Sequence, residues 1–255
     1  MKAIRSIITA FCMFSHIPMP RIEWKDDNMR FMLAAFPLVG AAEGLAVVIF
    51  ACFARYFQLN ALLWGAGLCL IPLLITGGIH LDGFADTMDA LSSHAPMEKK
   101  RQILKDPHAG AFAVISVCAI MILNFALYAS LEISYTNAIL LSVTFVLSRS
   151  GSAICSLALK GANEKGLLST FRESADKRIT LAVSVIWISA ASAAAILAGG
   201  FRALLLLLPP VLSAFGLARI CRKEFGGISG DLSGWYLTIS ESAMLIMLLI
   251  VEGIK

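Results

Sequence analysis

Three aspartates, Asp82, Asp86 and Asp89, stand at i, i+4 and i+7 in the run Gly77-Gly78-Ile79-His80-Leu81-Asp82-Gly83-Phe84-Ala85-Asp86-Thr87-Met88-Asp89. At about 3.6 residues per turn, this spacing predicts one shared helix face. Carboxylates stacked in this way repel, and no Lys or Arg lies among them. A hard divalent cation, Mg²⁺ or Mn²⁺, relieves that repulsion, because it takes oxygen ligands and bridges to substrate phosphates. An acid near a helix N-terminus also complements the helix dipole, so one of the three needs no further role. Gly77, Gly78 and Gly83 let backbone approach a ligand closely. His80 has two readings of equal standing: a ligand or phosphate contact, or a satisfied structural histidine.

Other residues join this chemistry or compete with it. Asp106, in Lys105-Asp106-Pro107-His108-Ala109-Gly110, reads equally as a turn residue capping the helix that follows and as a further carboxylate on the same surface. The segment Phe225-Gly226-Gly227-Ile228-Ser229-Gly230-Asp231 is a candidate anion nest, with Gly226, Gly227 and Gly230 supplying backbone and Asp231 a metal-holding carboxylate. Arg222 and Lys223 stand beside it. Lys165 and Arg172, in the 160–178 loop, are either phosphate or nucleotide contacts or ordinary loop charge. Glu43 and Glu241 fall within apolar runs, where a carboxylate must face the bundle interior. Arg149 is the other strong charge at that depth. It fits a buried pair with Glu43 and, equally, a reach toward a phosphate.

Helices embedded in a membrane must position these groups. The chain of 255 residues is 58% hydrophobic and 15% charged. Its apolar runs approach the roughly 20 residues that cross a hydrocarbon layer. We read seven spans, at 32–54, 61–79, 110–130, 137–159, 179–198, 202–219 and 236–252. With an internal N-terminus, and the span-end residues Arg202 and Arg219 counted with the nearer side, 17 of the 21 Lys and Arg fall inside and three outside, and Arg149 lies within a span. That asymmetry is the positive-inside pattern, so the net charge of +4 reflects topology and gives no reason to expect nucleic-acid binding. The outside loops, 55–60, 131–136 and 199–201, are short. The inside loops, 80–109, 160–178 and 220–235, carry ten of the 17 acids, the N-terminal segment three more and the outside loops one. Near the N-terminus, Ile4, Ile7, Ile8 and Phe11 repeat at helical spacing behind Lys2 and Arg5, as in a helix lying on the inner surface. The six cysteines are scattered without C-x-x-C spacing and read as buried small hydrophobes. The expected architecture is all-α: one polytopic integral-membrane helical bundle over 1–255, with about seven transmembrane helices and an interfacial N-terminal helix.

The aspartate-rich run resembles the signature of the cobalamin-5′-phosphate synthase family, also called adenosylcobinamide-GDP ribazoletransferase. Phe36-Pro37-Leu38-Val39-Gly40, the Asp106 segment, Ser148-Arg149 and Gly226-Gly227-Ile228-Ser229-Gly230-Asp231 agree in order, so the resemblance covers nearly the whole chain. Ala90 and Trp235-Tyr236 depart from it without removing a carboxylate. The resemblance implies a Mg²⁺-dependent enzyme of the bacterial inner membrane, with its site facing the cytoplasm. The hydroxyl of α-ribazole, or of its 5′-phosphate, would attack the phosphate on the cobinamide side chain of adenosylcobinamide-GDP. GMP would leave, giving adenosylcobalamin or its 5′-phosphate. Asp82, Asp86 and Asp89 are expected as metal ligands, with Asp106 and Asp231 completing the shell or supplying the base. Two other classes compete. A CDP-alcohol phosphotransferase with a lipid acceptor shares the Asp-Gly-x-x-Ala step but has Arg where Asp86 stands here, and a prenyltransferase would carry two Asp-rich motifs. A cation transporter would hold its acids near the midplane.

Overall fold

In the computed structural model, residues 2–20, 26–162 and 167–253 are described, and Lys165 lies outside them. Every apolar run forms helix. In chain order these are α1 (Lys2–Phe14), α2 (Asp26–Met29), α3 (Met32–Tyr56), α4 (Ala61–Thr76), α5 (Ile79–Ser92), α6 (Met97–Ile103), α7 (Ala111–Ser130), α8 (Tyr135–Ala158), α9 (Leu167–Ser174), α10 (Lys177–Gly199), α11 (Leu208–Ile220) and α12 (Gly230–Gly253). A 3₁₀ segment, Phe201–Leu207, leads into α11, and a π turn, Cys221–Phe225, leaves it. Together the three make a 25-residue apolar rod. Among the described residues, one isolated parallel bridge, between Gly161 and Ile228, is the only β pairing.

Six of these rods are long and apolar enough to cross a membrane: α3, α7, α8, α10, the α11 rod and α12. The apolar helix α4 makes a seventh only when counted together with α5, which turns away from it by 96°. The protein is therefore a polytopic membrane helical bundle with an additional N-terminal helix. Large apolar side chains such as Leu74, Ile122, Ile186, Leu212 and Phe215 point outward, as a lipid-facing surface requires. Inside the bundle, α3 packs on α8 through Gly40, which lies against the Phe145 carbonyl, and Gly44, where a Cβ would come within 2.7 Å of Ser142. Small residues at a helix crossing let the backbones approach, as is common in membranes.

Three expectations need correction. The second span stops at Thr76, short of 79, because Gly77 and Gly78 both take left-handed φ, of 66° and 78°. Only glycine adopts such a pair without strain. The loop expected at 220–235 is mostly helical: the π turn extends α11, and α12 begins at Gly230, six residues before 236. The Ser229 hydroxyl accepts from Leu232 N at 3.3 Å, as an N-cap side chain does. All six cysteines are free, but only Cys155 and Cys221 are buried. Cys12, Cys52 and Cys118 are exposed, since a thiol on an outer face meets lipid as readily as an alanine would.

The two ends of the bundle differ. At one end, Arg55 Nη1 donates to Ile133 O at 3.2 Å and stacks on Tyr135, and Asn137 Nδ2 donates to Glu252 Oε1 at 3.0 Å. At the other end, Arg101 Nε donates to Phe225 O at 2.7 Å and Lys100 pairs with Glu224. There Ile228 N also donates to Lys160 O at 2.7 Å, and Ala162 N donates to Ile228 O at 3.0 Å. The acidic helix α5 belongs to this second end.

Candidate active site

The Gly77–Gly78 turn swings α5 nearly perpendicular to α4, so its residues lie off the spanning axis. A Cβ on Gly77 would collide with the His16 ring, and His16 N donates to Ile75 O at 2.6 Å. The segment following α1 thus covers the turn. On its other side α5 meets α12 backbone to backbone. A Cβ on Gly83 would come within 2.8 Å of Asp231 Cα, and one on Gly234 within 2.8 Å of His80 O. Two glycines therefore fix the placement of Asp82 and His80 against Asp231.

Asp82 is exposed, while Asp86, Asp89 and Asp231 are partly buried. Partial burial, with the charges of Asp82, Asp231 and Asp89 around it, pushes Asp86 up to about 6. Four carboxylates from two elements thus share one electrostatic neighbourhood. Among the described residues, no three His, Cys, Asp or Glu side chains converge as a closed metal centre. The donor set is nonetheless all oxygen and mutually repulsive. It fits an ion such as Mg²⁺, which keeps several waters and uses one or two carboxylates together with substrate phosphates.

Asp89 has a second attachment. Its Oδ1 accepts from Ala113 N at 3.3 Å, in the first turn of α7, and its carboxyl fills the space a Cβ on Gly110 would need. The capping role that sequence allowed to Asp106 thus belongs to Asp89. Asp106 is exposed and turned on itself: Oδ1 accepts from His108 N at 3.0 Å and lies 2.7 Å from His108 Nδ1. These bonds to His108 hold the Asp106 carboxyl below its ordinary range.

The glycine segment divides by function. Gly226 has φ of 71°, and a Cβ there would strike the Arg101 guanidinium. Gly227 lies against the Gly161–Ala162 backbone. Both are accounted for by turn geometry and close packing. Gly230 has nothing within 4 Å of a would-be Cβ, and it lines the same cavity as Asp231. Ser229 Oγ donates to Asp231 Oδ2 at 3.3 Å.

Three cavities surround these groups. One of about 170 Å³ lies between α1, α3, α5, α8, α9 and α12, with Phe14, Phe36, Phe171 and Leu237 in its walls, along with Asp82, Asp231 and His80. One of about 500 Å³ is basic, lined by Arg101, Lys160, Arg172, Lys177 and Gly226, with Glu173 opposing them. In it, Arg172 Nη2 donates to Leu159 O at 2.5 Å, and Nη1 has no hydrogen-bond partner among the described residues. The third, of about 60 Å³, is lined by His80, Asn124, Arg149 and Glu241.

Arg149 is fully buried and engaged. Nη2 donates to Glu43 Oε1 at 2.7 Å, Nη1 pairs with Glu241, and Ser148 Oγ donates to Glu241 Oε1 at 2.7 Å. The phosphate-reaching alternative for Arg149 is thereby displaced by an ion triad joining α3, α8 and α12. Sequence reasoning anticipated the Glu43 pair but not Glu241 as its third member. It also missed the aromatic cavity, whose only signal was the apolar spacing of α1.

The cobalamin-5-phosphate synthase family matches the chain over residues 6–249. A protein of Lachnoclostridium phytofermentans named adenosylcobinamide-GDP ribazoletransferase is 34% identical over 254 residues, covering 100% of this chain and 97% of its own length. A Clostridium botulinum protein of the same name is 33% identical over 241 residues, 93% of this chain and 94% of that one. A Geobacillus protein, also so named, is 30% identical over 231 residues, 89% of this chain and 88% of that one. No solved structure matches the chain.

Proposed function

The chain belongs to the cobalamin-5-phosphate synthase family, and from that premise we propose that it is an adenosylcobinamide-GDP ribazoletransferase. A ribose hydroxyl of α-ribazole, or of α-ribazole 5′-phosphate, attacks the phosphorus bound to the cobinamide side chain. The bond from that phosphorus to the GMP oxygen breaks, and adenosylcobalamin or its 5′-phosphate and GMP result. The observation that carries this reading is the gathering of Asp82, Asp86, Asp89 and Asp231 at one end of an apolar bundle, held by the Gly83 and Gly234 contacts.

In this reading Asp82, Asp86, Asp89 and Asp231 would hold Mg²⁺, with Mn²⁺ a substitute, which when bound would supply positive charge against the diphosphate and the leaving GMP. The protein's own groups do the rest. A carboxylate of this set not fully used on the metal accepts the proton of the attacking hydroxyl. Lys160 and Arg172, in the basic cavity, bind the anionic parts of the substrates. Gly230 leaves room beside Asp231 for the phosphate to approach. The Glu43–Arg149–Glu241 triad keeps α3, α8 and α12 in register beneath the site. The bias of 17 in 21 basic residues supports a site facing the cytoplasm, where nucleotide substrates reside.

The test is turnover by the purified protein in lipid nanodiscs, supplied with adenosylcobinamide-GDP, α-ribazole and Mg²⁺ and followed by mass spectrometry. Formation of the joined corrinoid with an equal amount of GMP, abolished by EDTA and restored by Mg²⁺, is the expected result. Absence of both products across Mg²⁺ and Mn²⁺ would remove the assignment.

A further inference from the structure

The 170 Å³ cavity does not resemble a site for phosphate or metal alone. Three phenylalanines wall it: Phe14 lies 4.4 Å from Phe36 and 6.4 Å from Phe171, ring centroid to centroid. Its carboxylates, Asp82 and Asp231, belong to the neighbourhood already described. His80 packs against Phe36 at 5.8 Å, and its buried Nε2 has no hydrogen-bond partner among the described residues. An apolar, aromatic slot beside reactive carboxylates suits a flat heterocycle joined to a polar group.

We infer that this slot is the subsite for the base of the acceptor nucleoside. The inference rests on the proposed function, in which the acceptor is a riboside of dimethylbenzimidazole, a fused apolar ring with a single free ring nitrogen. The base packs against the wall formed by Phe14, Phe36 and Phe171. The ribose is left beside Asp82 and Asp231, where its hydroxyl attacks. The polar donor nucleotide has no place in such a slot, so the two nucleosides are sorted by polarity: the apolar base here, the anionic groups in the basic cavity. The slot selects its base by fit, and a missing methyl costs about tenfold or more in a close apolar site.

The experiment compares kcat/KM for the dimethylbenzimidazole riboside with that for the unsubstituted benzimidazole riboside, in the wild type and in Phe171→Ala and Ser156→Phe. Ser156 also lines the slot. The ratio within one preparation does not depend on how much of it is folded. The wild type is expected to prefer the dimethyl base by about tenfold or more, and both variants to lose most of that preference. Equilibrium dialysis of the dimethyl riboside against donor-free protein should show affinity about tenfold weaker in both variants. A ratio and an affinity unmoved in both variants overturn the subsite. Failure of either riboside to give product in the wild type instead overturns the reaction itself, and so the two failures are told apart.

Discussion

Asp89 caps a helix that is not its own: its Oδ1 accepts from Ala113 N at 3.3 Å, across a gap that only Gly110 leaves open. One carboxylate thus both starts α7 and faces the acidic neighbourhood, and two substitutions separate these duties. Asp89→Asn retains an accepting oxygen and should keep the melting temperature within a few degrees while lowering kcat/KM about a hundredfold or more. Asp89→Ala should lose the same activity and also about 1 kcal/mol of stability, the usual loss with a cap. Thermal unfolding in detergent beside steady-state kinetics reads both.

Asp86 is partly buried and carries the repulsion of three neighbours, so removing its charge should help the fold and harm the chemistry. In metal-free protein the penalty is absent where all carboxyls are protonated, below their ordinary range, and complete above about 6. Asp86→Asn should therefore raise the melting temperature at pH 7.5 but not at pH 4, and should lower turnover about a hundredfold or more. A variant that melts lower than wild type at pH 7.5 would contradict the electrostatic account.

Asp106 provides the contrast. Its carboxyl is exposed and bonded to His108. Asp106→Asn should leave kcat/KM within about threefold of wild type, whereas Asp82→Asn and Asp231→Asn each cost about a hundredfold or more. Equal losses at all three positions would draw Asp106 into the site.

Arg149 sits between two carboxylates at depth. Arg149→Ala leaves both unpaired and should destabilise by about 3–5 kcal/mol. The triple change Glu43→Gln, Arg149→Met, Glu241→Gln should recover much of that stability, because it removes every uncompensated charge. Chemical unfolding in mixed micelles measures the difference.

How far the chain could be read from sequence varied with the physics. The acidic face of α5 was legible because carboxylate spacing has a period and the Gly77-Gly78 pair marks a break. The start of α12 was not, since Gly226, Gly227 and Gly230 suggest a loop and the helix-starting contribution of Ser229 is local. The depth of Glu43 and Arg149 pointed to a partner, because a lone charge in lipid is costly. Glu241 is just as deep, but spacing does not reveal which helices neighbour one another. The aromatic slot is assembled from Phe14, Phe36 and Phe171 on three separate helices, each an ordinary apolar residue in its own segment.

The contact of α5 with α12 through Gly83 and Gly234 has a consequence for life in a bilayer. Spanning helices tilt as lipid thickness changes. With no side chain interposed between these two backbones, tilting of the final helix carries Asp82 and Asp231 along as a unit. Their separation is therefore insulated from the composition of the surrounding lipid, and the same reaction centre can operate unaltered in thin and thick membranes.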